Sequence, residues 1–338
     1  MYQPEKNRDA REACLLAAIV ATLSLVSAEP ASAAAIGCSS SAQSSNLACS
    51  FAAKDDLFTV RAICMDSPDD DLNSCLDDAN AEYELVLEEC AEIYAAQVEV
   101  CDQTGDAAHV PDFGAAFITN FVDPLEIGLS VTPNPYFPLV QGNRWVYEGT
   151  FEEDGEMITE SITVTVLNET KLVDGITCLV VRDVVEVDGE LIEDTDDWFA
   201  QDTDGNVWYC GEEVKDYEWF DGDEPPLPEL VSDDGSFKAG RDGDKGGILL
   251  PVVPVVGDLF RQELSVGNAE DIIEILATDG DENAVAASCN GACLVTRDFS
   301  PLSPGGEENK YYAPDIGLIL EIDIESGDRV ELIEFTSL

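Results

Sequence analysis

The chain has 338 residues, with 71 Asp and Glu against 16 Lys and Arg, and a net charge of −55. That balance excludes nucleic acid and anionic membrane surfaces as targets, because both are bound through cationic side chains. The acidity reads first as a device for solubility or for a salty medium, and second as a supply of calcium ligands. Hydrophobic residues make up 45% of the chain, enough for a sizeable core.

Residues 1–33 read as an export signal. Lys6, Arg8 and Arg11 precede the apolar run Cys14–Val26, and Ala31-Ser32-Ala33 offers small residues for cleavage. The run is short for a membrane span, and no later stretch has the ~18 uncharged apolar residues that a span needs. Ala35-Ile36-Gly37-Cys38 also resembles a bacterial lipoprotein cleavage site, in which Cys38 would carry lipid. Ala35 stands where leucine is usual, and the site lies beyond the apolar run, which favours the secreted reading.

Residues 38–104 read as a cysteine-rich helical hairpin. Cys38, Cys49, Cys64, Cys75, Cys90 and Cys101 are separated by 11, 15, 11, 15 and 11 residues. These separations are about three or four helical turns, so the sulfurs stay near one face. Leu72–Val100 consists of strong helix formers. A shorter helix is predicted over Asn46–Cys64, because Cys38-Ser39-Ser40-Ser41 is a poor helical start. Asp66-Ser67-Pro68-Asp69-Asp70 reads as the turn, Asp70 or Asp71 as the cap of the second helix, and Thr104-Gly105 as its stop. Facing residues of an antiparallel hairpin share a constant sum of residue numbers. Of the fifteen ways to pair six cysteines, one satisfies this: Cys38–Cys101, Cys49–Cys90 and Cys64–Cys75, centred between Asp69 and Asp70. The rival is a tandem repeat of 26 residues, whose units match poorly outside the cysteines.

Residues 105–135 read as a linker packed on the next domain, since Phe113, Phe117 and Phe121 are too many aromatics for a free tether. Over 136–338 the pattern changes to period two. Ile162, Val164 and Val166 alternate with Ser161, Thr163 and Thr165. Cys178–Val187 is apolar on both faces and reads as a central strand. Trp198–Glu213 reads as a hairpin turning at Asp204-Gly205. Eight Asp-Gly pairs, several at hairpin spacing, predict a mainly antiparallel sheet. Gly222–Gly247 reads as a long loop, and further strands are predicted over Leu259–Val266, Asp271–Ala277, Cys293–Arg297, Gly317–Ile324 and Arg329–Thr336. Cys178 and Cys210 are expected to bridge, as are Cys289 and Cys293 around a small loop. The fold class is therefore α+β: a disulfide-stapled helical hairpin followed by a larger, mainly antiparallel β domain. Trp145, Tyr147, Trp198 and Trp208 are expected in its core.

Four stretches carry a resemblance: Asn134–Gly149 (NPYFPLVQGNRWVYEG), Thr177–Glu212, Phe260–Glu263 (FRQE) and Lys310–Glu321 (KYYAPDIGLILE). With the cysteine spacing, they resemble a family of uncharacterised secreted bacterial proteins that join a cysteine-rich helical segment to a β domain. The resemblance implies no activity, so it supplies no catalytic residue. The opening phrase is also similar to that of envelope lipoproteins and implies an envelope role. Asp315 stands where relatives more often show glycine, which puts the turn at Pro314–Gly317 in question.

Few constellations carry chemistry. The single histidine, His109, lies in the linker, which excludes a Ser-His-Asp triad or a multi-histidine metal site within the β domain. It reads as a surface or packing residue. Asp194, Asp196, Asp197, Asp202, Asp204 and Asn206 gather oxygen ligands of the kind Ca²⁺ takes, although an EF-hand register fails here. Asp221–Glu224 and Asp242–Asp244 are weaker candidates. The expected function is a non-enzymatic binding or structural module of the envelope or extracellular space, stabilised by calcium, with an unidentified partner. The alternative is a carboxylate-dependent secreted hydrolase, which two close acids of raised pKa in a concavity would favour.

Overall fold

The structure is a computed structural model that describes residues 37–67, 71–153, 155–220 and 222–337. The export signal read over residues 1–33, and Pro68, Asp69 and Asp70 of the expected turn, lie outside the described residues. Helix α1 spans Cys38–Asp66 and helix α2 spans Leu72–Gln103. They are joined by Cys38–Cys101, Cys49–Cys90 and Cys64–Cys75, the nested ladder of the common sum. The bridges matter because α1 packs little apolar surface. It buries Ala42, Ala53 and Cys64, while Phe51 is 70% and Phe58 57% exposed.

α1 starts at Cys38 rather than at the expected Asn46. The cap that Cys38–Ser41 lack comes from across the hairpin. The Asp106 carbonyl accepts from the Cys38 N–H at 3.3 Å, and its carboxylate accepts from the Ser39 N–H at 2.8 Å. Orphan N–H groups at a helix start are thereby satisfied by an acceptor of the right charge. Asp71 caps α2 through the Asn73 N–H, and Gly105, at φ +68°, follows its end. The Cys38 sulfur is bonded to Cys101, so the reading in which it carries lipid does not fit this pairing. Replacing Cys49 and Cys90 together by serine is expected to remove about 2–4 kcal/mol of stability and to open the hairpin to limited proteolysis. Wild-type protease resistance in that variant would contradict the role given to the bridge.

The strands begin with a meander: β1 (Arg144–Glu153), β2 (Glu156–Val173), β3 (Ile176–Val187), β4 (Glu190–Gln201) and β5 (Val207–Glu213), each antiparallel to the next. Short strands follow: β6 (Asp216–Glu218), β7 (Glu229–Ser232), β8 (Phe237–Lys238), β9 (Lys245–Leu250), β10 (Leu259–Arg261) and β11 (Glu263–Leu264). A second meander contains β12 (Ile272–Gly280), β13 (Cys293–Phe299), β14 (Glu307–Ala313), β15 (Gly317–Asp323) and β16 (Arg329–Thr336). β16 pairs with β1 and joins the two meanders. The strand path starts at β10 and ends at β11. These are two halves of one segment bent at Gln262, so the pairing returns to its start and the sheet closes into a barrel. Closure removes the free edges that an open sheet would present.

Three sequence expectations need correction. Gly222–Gly247 is not all loop, because β7 and β8 form within it and Phe237 is 3% exposed. Leu259–Val266 is two strands with different partners, β12 and β9. β14 is a strand that the sequence pattern does not predict. Strands of two to four residues show no alternation, and their existence depends on a neighbour to pair with. The Asp-Gly turns at 174–175 and 188–189 do take the paired positive φ angles of tight hairpins, 44° and 88°, then 52° and 84°. Asp315 adopts φ +66°, so the turn favoured by glycine survives there on aspartate.

The core has two sides. Inside the barrel, Trp145, Leu139, Leu179, Phe199, Ile319 and Leu332 form one cluster. On the outer face of β3–β5, Trp198, Ala200 and the Cys178–Cys210 bridge form another, covered by Phe113 and Phe121 of the linker. Phe121 meets Trp208 edge-on at 5.7 Å. All four expected core aromatics are buried, but on opposite faces of the sheet. Cys178 and Cys210 are not on neighbouring strands, since β4 runs between them. Cys289–Cys293 closes the loop before β13. Among the described residues no helix is long and apolar enough to cross a membrane.

Candidate functional site

The six residues read as calcium ligands lie in three places. Asp194 is on the outer face of β4, where the Arg182 guanidinium donates to both its oxygens at 2.7 and 2.6 Å and holds its carboxyl below the usual range. Asp196 shares that face by strand alternation. Asp197 points to the opposite side, into the barrel. Asp202, Asp204 and Asn206 build the turn between β4 and β5.

That turn is wider than the tight Asp204-Gly205 turn expected, and Asp202 organises it. Its Oδ1 accepts from the backbone N–H groups of Asp204, Gly205 and Asn206 at 2.8–3.0 Å. Its Oδ2 accepts from Asn206 Nδ2 at 2.8 Å and from the Trp208 indole at 2.9 Å. Asn206 Oδ1 accepts in turn from the Val252 N–H. The Asp-x-Asp-Gly-Asn spacing thus gathers N–H donors around one carboxylate, an Asx turn extended by two side chains.

The barrel interior carries the unexpected chemistry. Directly paired residues point to the same side of a sheet. Trp145 is in the inner core and pairs with Val164, which pairs with Asp183. Val181 pairs with Asp197, and Asp197 with Glu212. On the far wall, Ile273 pairs with Asp298, Thr296 with Lys310, and Lys310 with Glu321. Successive strands therefore each turn an ionisable residue inward. Lys310 Nζ lies 3.1 Å from Glu321, 3.3 Å from Glu308 and 4.0 Å from Asp298.

Electrostatics follow from this crowding. Burial and then repulsion from Asp197, Glu193 and Glu321 raise Asp183 well above the usual carboxylate range, and its Oδ1 has no hydrogen-bond partner. Burial and Glu212 do the same to Asp197, against the pull of a 2.5 Å hydrogen bond donated by the Tyr209 hydroxyl. Glu212 rises to about 8, chiefly by burial, and Asp298 to about 6 for the same first reason. Glu263 is 2% exposed, is raised by burial and by Asp271 and Glu212, and leaves Oε2 without a partner. Burial alone would lower Lys310, but Glu321, Asp298 and Glu308 more than offset it and raise it. Asp271 is raised mainly by desolvation although it is exposed, and Asp183, Asp197 and Glu212 of the inner row are only part-buried.

Of this inner row, Asp197 alone is among the residues that the sequence points to as ligands. A signal was present. In Val181–Val187 the apolar phase reads Val, Asp, Val, Val, with Asp183 out of character. Glu321 likewise shares a phase with Ile319. The convergence of these phases could not be seen before the barrel closure was known. Comparison of the chain with protein-family models, with curated proteins and with solved structures finds no match.

Proposed function

We propose that this is an exported, non-enzymatic binding module of the envelope or extracellular space whose barrel interior receives a small organic cation. One observation carries the reading: among the described residues, some inner carboxylates form ion pairs with Lys310, while Asp183, Asp197, Glu212 and Glu263 form none. Lys310 sits among Glu321, Glu308 and Asp298. Across the barrel, the charges that bear most on Asp197, Glu212 and Glu263 are all negative, and Glu263 Oε2 is buried without a partner. An alkylammonium is what this interior already holds in the form of Lys310. Carboxylates spread over adjacent strands suit an extended diamine better than a point ion. Among the described residues no three His, Cys, Asp or Glu gather as ligands for a metal. Calcium is the inorganic form of the same reading. Five disulfides support export from a reducing compartment.

The test is the melting temperature against NaCl, CaCl₂ and putrescine dichloride at matched ionic strength. NaCl is expected to raise it by screening self-repulsion, and putrescine to raise it further, with the increment lost in Asp197→Asn. Three superimposable curves would sink the proposal. A rise with calcium alone would assign the inner carboxylates to the metal rather than to an organic cation. The hydrolase remains as a second reading because Asp197 and Glu212, both of raised pKa, face each other across β4 and β5. Turnover of a chromogenic glycoside that Glu212→Gln abolishes would favour it.

A further inference from the structure

Where the helical hairpin meets the barrel there is a cavity of about 110 Å³, with Arg261, Lys245 and His109 in its wall. In a chain with 71 acids and 16 Lys and Arg, such a gathering of basic groups is unusual. Arg261 ends β10, Lys245 begins β9, and His109 comes from the linker, so three separate segments bring two cations and a neutral imidazole to one place. Among the described residues neither Arg261 nor Lys245 lies within ion-pair distance of a carboxylate. Arg261 Nη2 donates to the Cys38 sulfur at 3.3 Å, while Nη1 is buried with no partner. The Lys245 ammonium donates to the His109 carbonyl at 2.6 Å, and His109 Nε2 meets the Gly246 carbonyl at 3.0 Å. Gln97, 3% exposed, leaves Oε1 unpartnered in the same wall. The one carboxylate there, Glu270, accepts from Gln97 Nε2 and from the Gly267 N–H.

We infer that this junction cavity is a binding site for a small tetrahedral oxyanion, of the size and charge of phosphate or sulfate. The volume equals roughly three or four waters of liquid, which suits a five-heavy-atom ion. A guanidinium with a spare N–H edge is the side chain best shaped to take two oxyanion oxygens. Lys245 adds a point charge, and Gln97 Oε1 can accept a hydrogen bond from the hydroxyl of a hydrogen phosphate. The site is built half from the hairpin (Cys38, Gln97) and half from the barrel, so an anion held there ties the two together. It is separate from the carboxylate-lined interior and opposite to it in charge preference.

His109 is the only histidine, so its imidazole is a single NMR reporter inside the cavity wall. Its pKa lies below the usual value through burial first, with Arg261 and Lys245 repelling the imidazolium against the opposing Gly246 hydrogen bond. An anion in the cavity offsets that repulsion. Sodium phosphate and sodium sulfate, titrated into the intact protein against NaCl at equal ionic strength, are expected to move the His109 resonance saturably and to raise its titration midpoint by about one pH unit. Arg261→Gln is expected to abolish the response, and Glu270→Gln to strengthen binding several-fold. A response that does not saturate, or that matches the one in NaCl, would overturn the proposal and leave the cavity to water. So would an Arg261→Gln variant that responds like wild type. If Arg261→Gln does not fold, Lys245→Gln decides: an unweakened response there rejects the site.

Discussion

Replacing Asp202 by alanine is expected to destabilise the protein by roughly 3–5 kcal/mol and to lower Tm by about 10 °C. The size follows from what the carboxylate does. It accepts from three backbone N–H groups, from Asn206 Nδ2 and from the Trp208 indole. Truncation leaves those donors unmatched, and Trp208 is 8% exposed, so water cannot fully replace the acceptor for its indole. The damage also spreads beyond the turn. Asn134 Nδ2 reads the Gly205 carbonyl, and Trp208 packs against Phe113 and Phe121. The linker should therefore loosen with the turn. Asp202→Asn, with one acceptor oxygen instead of two, should fall between. Urea unfolding of the three proteins, in chelator and again in CaCl₂, checks this. A loss that appears only when calcium is present would assign Asp202 to a metal instead.

Stability is expected to fall as pH rises from 6.5 to 8.5, and Glu212→Gln is expected to remove much of that slope. The sign comes from proton linkage. A carboxyl whose folded pKa is raised binds its proton more tightly in the folded state. Its stabilising contribution is complete below the unfolded pKa and is lost as pH climbs through the folded value. For Glu212 that window runs from 4.5 to about 8, an effect on the order of a few kcal/mol at ~1.4 kcal/mol per unit. Asp197, Asp183 and Glu263 shift in the same direction and add to it. His109, lowered by burial, acts oppositely, but its window lies below 6.5. Lys310, raised, acts above 10.5. Denaturant midpoints at five pH values suffice as the measurement. A flat or rising profile would mean that the inner carboxylates are not desolvated as described.

The disulfide ladder was legible because it is arithmetic on an antiparallel hairpin, and cysteines mark their own positions. Long strands such as β2 and β3 were legible from alternation, and their Asp-Gly turns from the need for positive φ. The start of α1 was not, because its cap is Asp106, across the hairpin and far along the chain. The barrel was not, because its closure depends on Leu259–Leu264 bending at Gln262 and serving two neighbours. Without that closure Asp183, Glu212, Glu263 and Lys310 are charged residues scattered in an acidic chain. With it they are one inward-facing row. At Asp202–Asn206 the hairpin was legible but not the width of its turn, and the Asp202 carboxylate is that turn's own acceptor.

The most direct measurement of whether the interior is a cation receptor is calorimetric titration of putrescine into the intact protein at pH 7.5. Two buffers of different ionisation enthalpy should be used. A cation entering the row must ionise Glu212, whose carboxyl is partly protonated at that pH. The expected result is saturable binding with proton release, seen as a heat that depends on the buffer, and an affinity at least tenfold weaker in Glu263→Gln and in Asp197→Asn. Absence of saturable heat at millimolar diamine, or binding that is buffer-independent and untouched by either substitution, would contradict it.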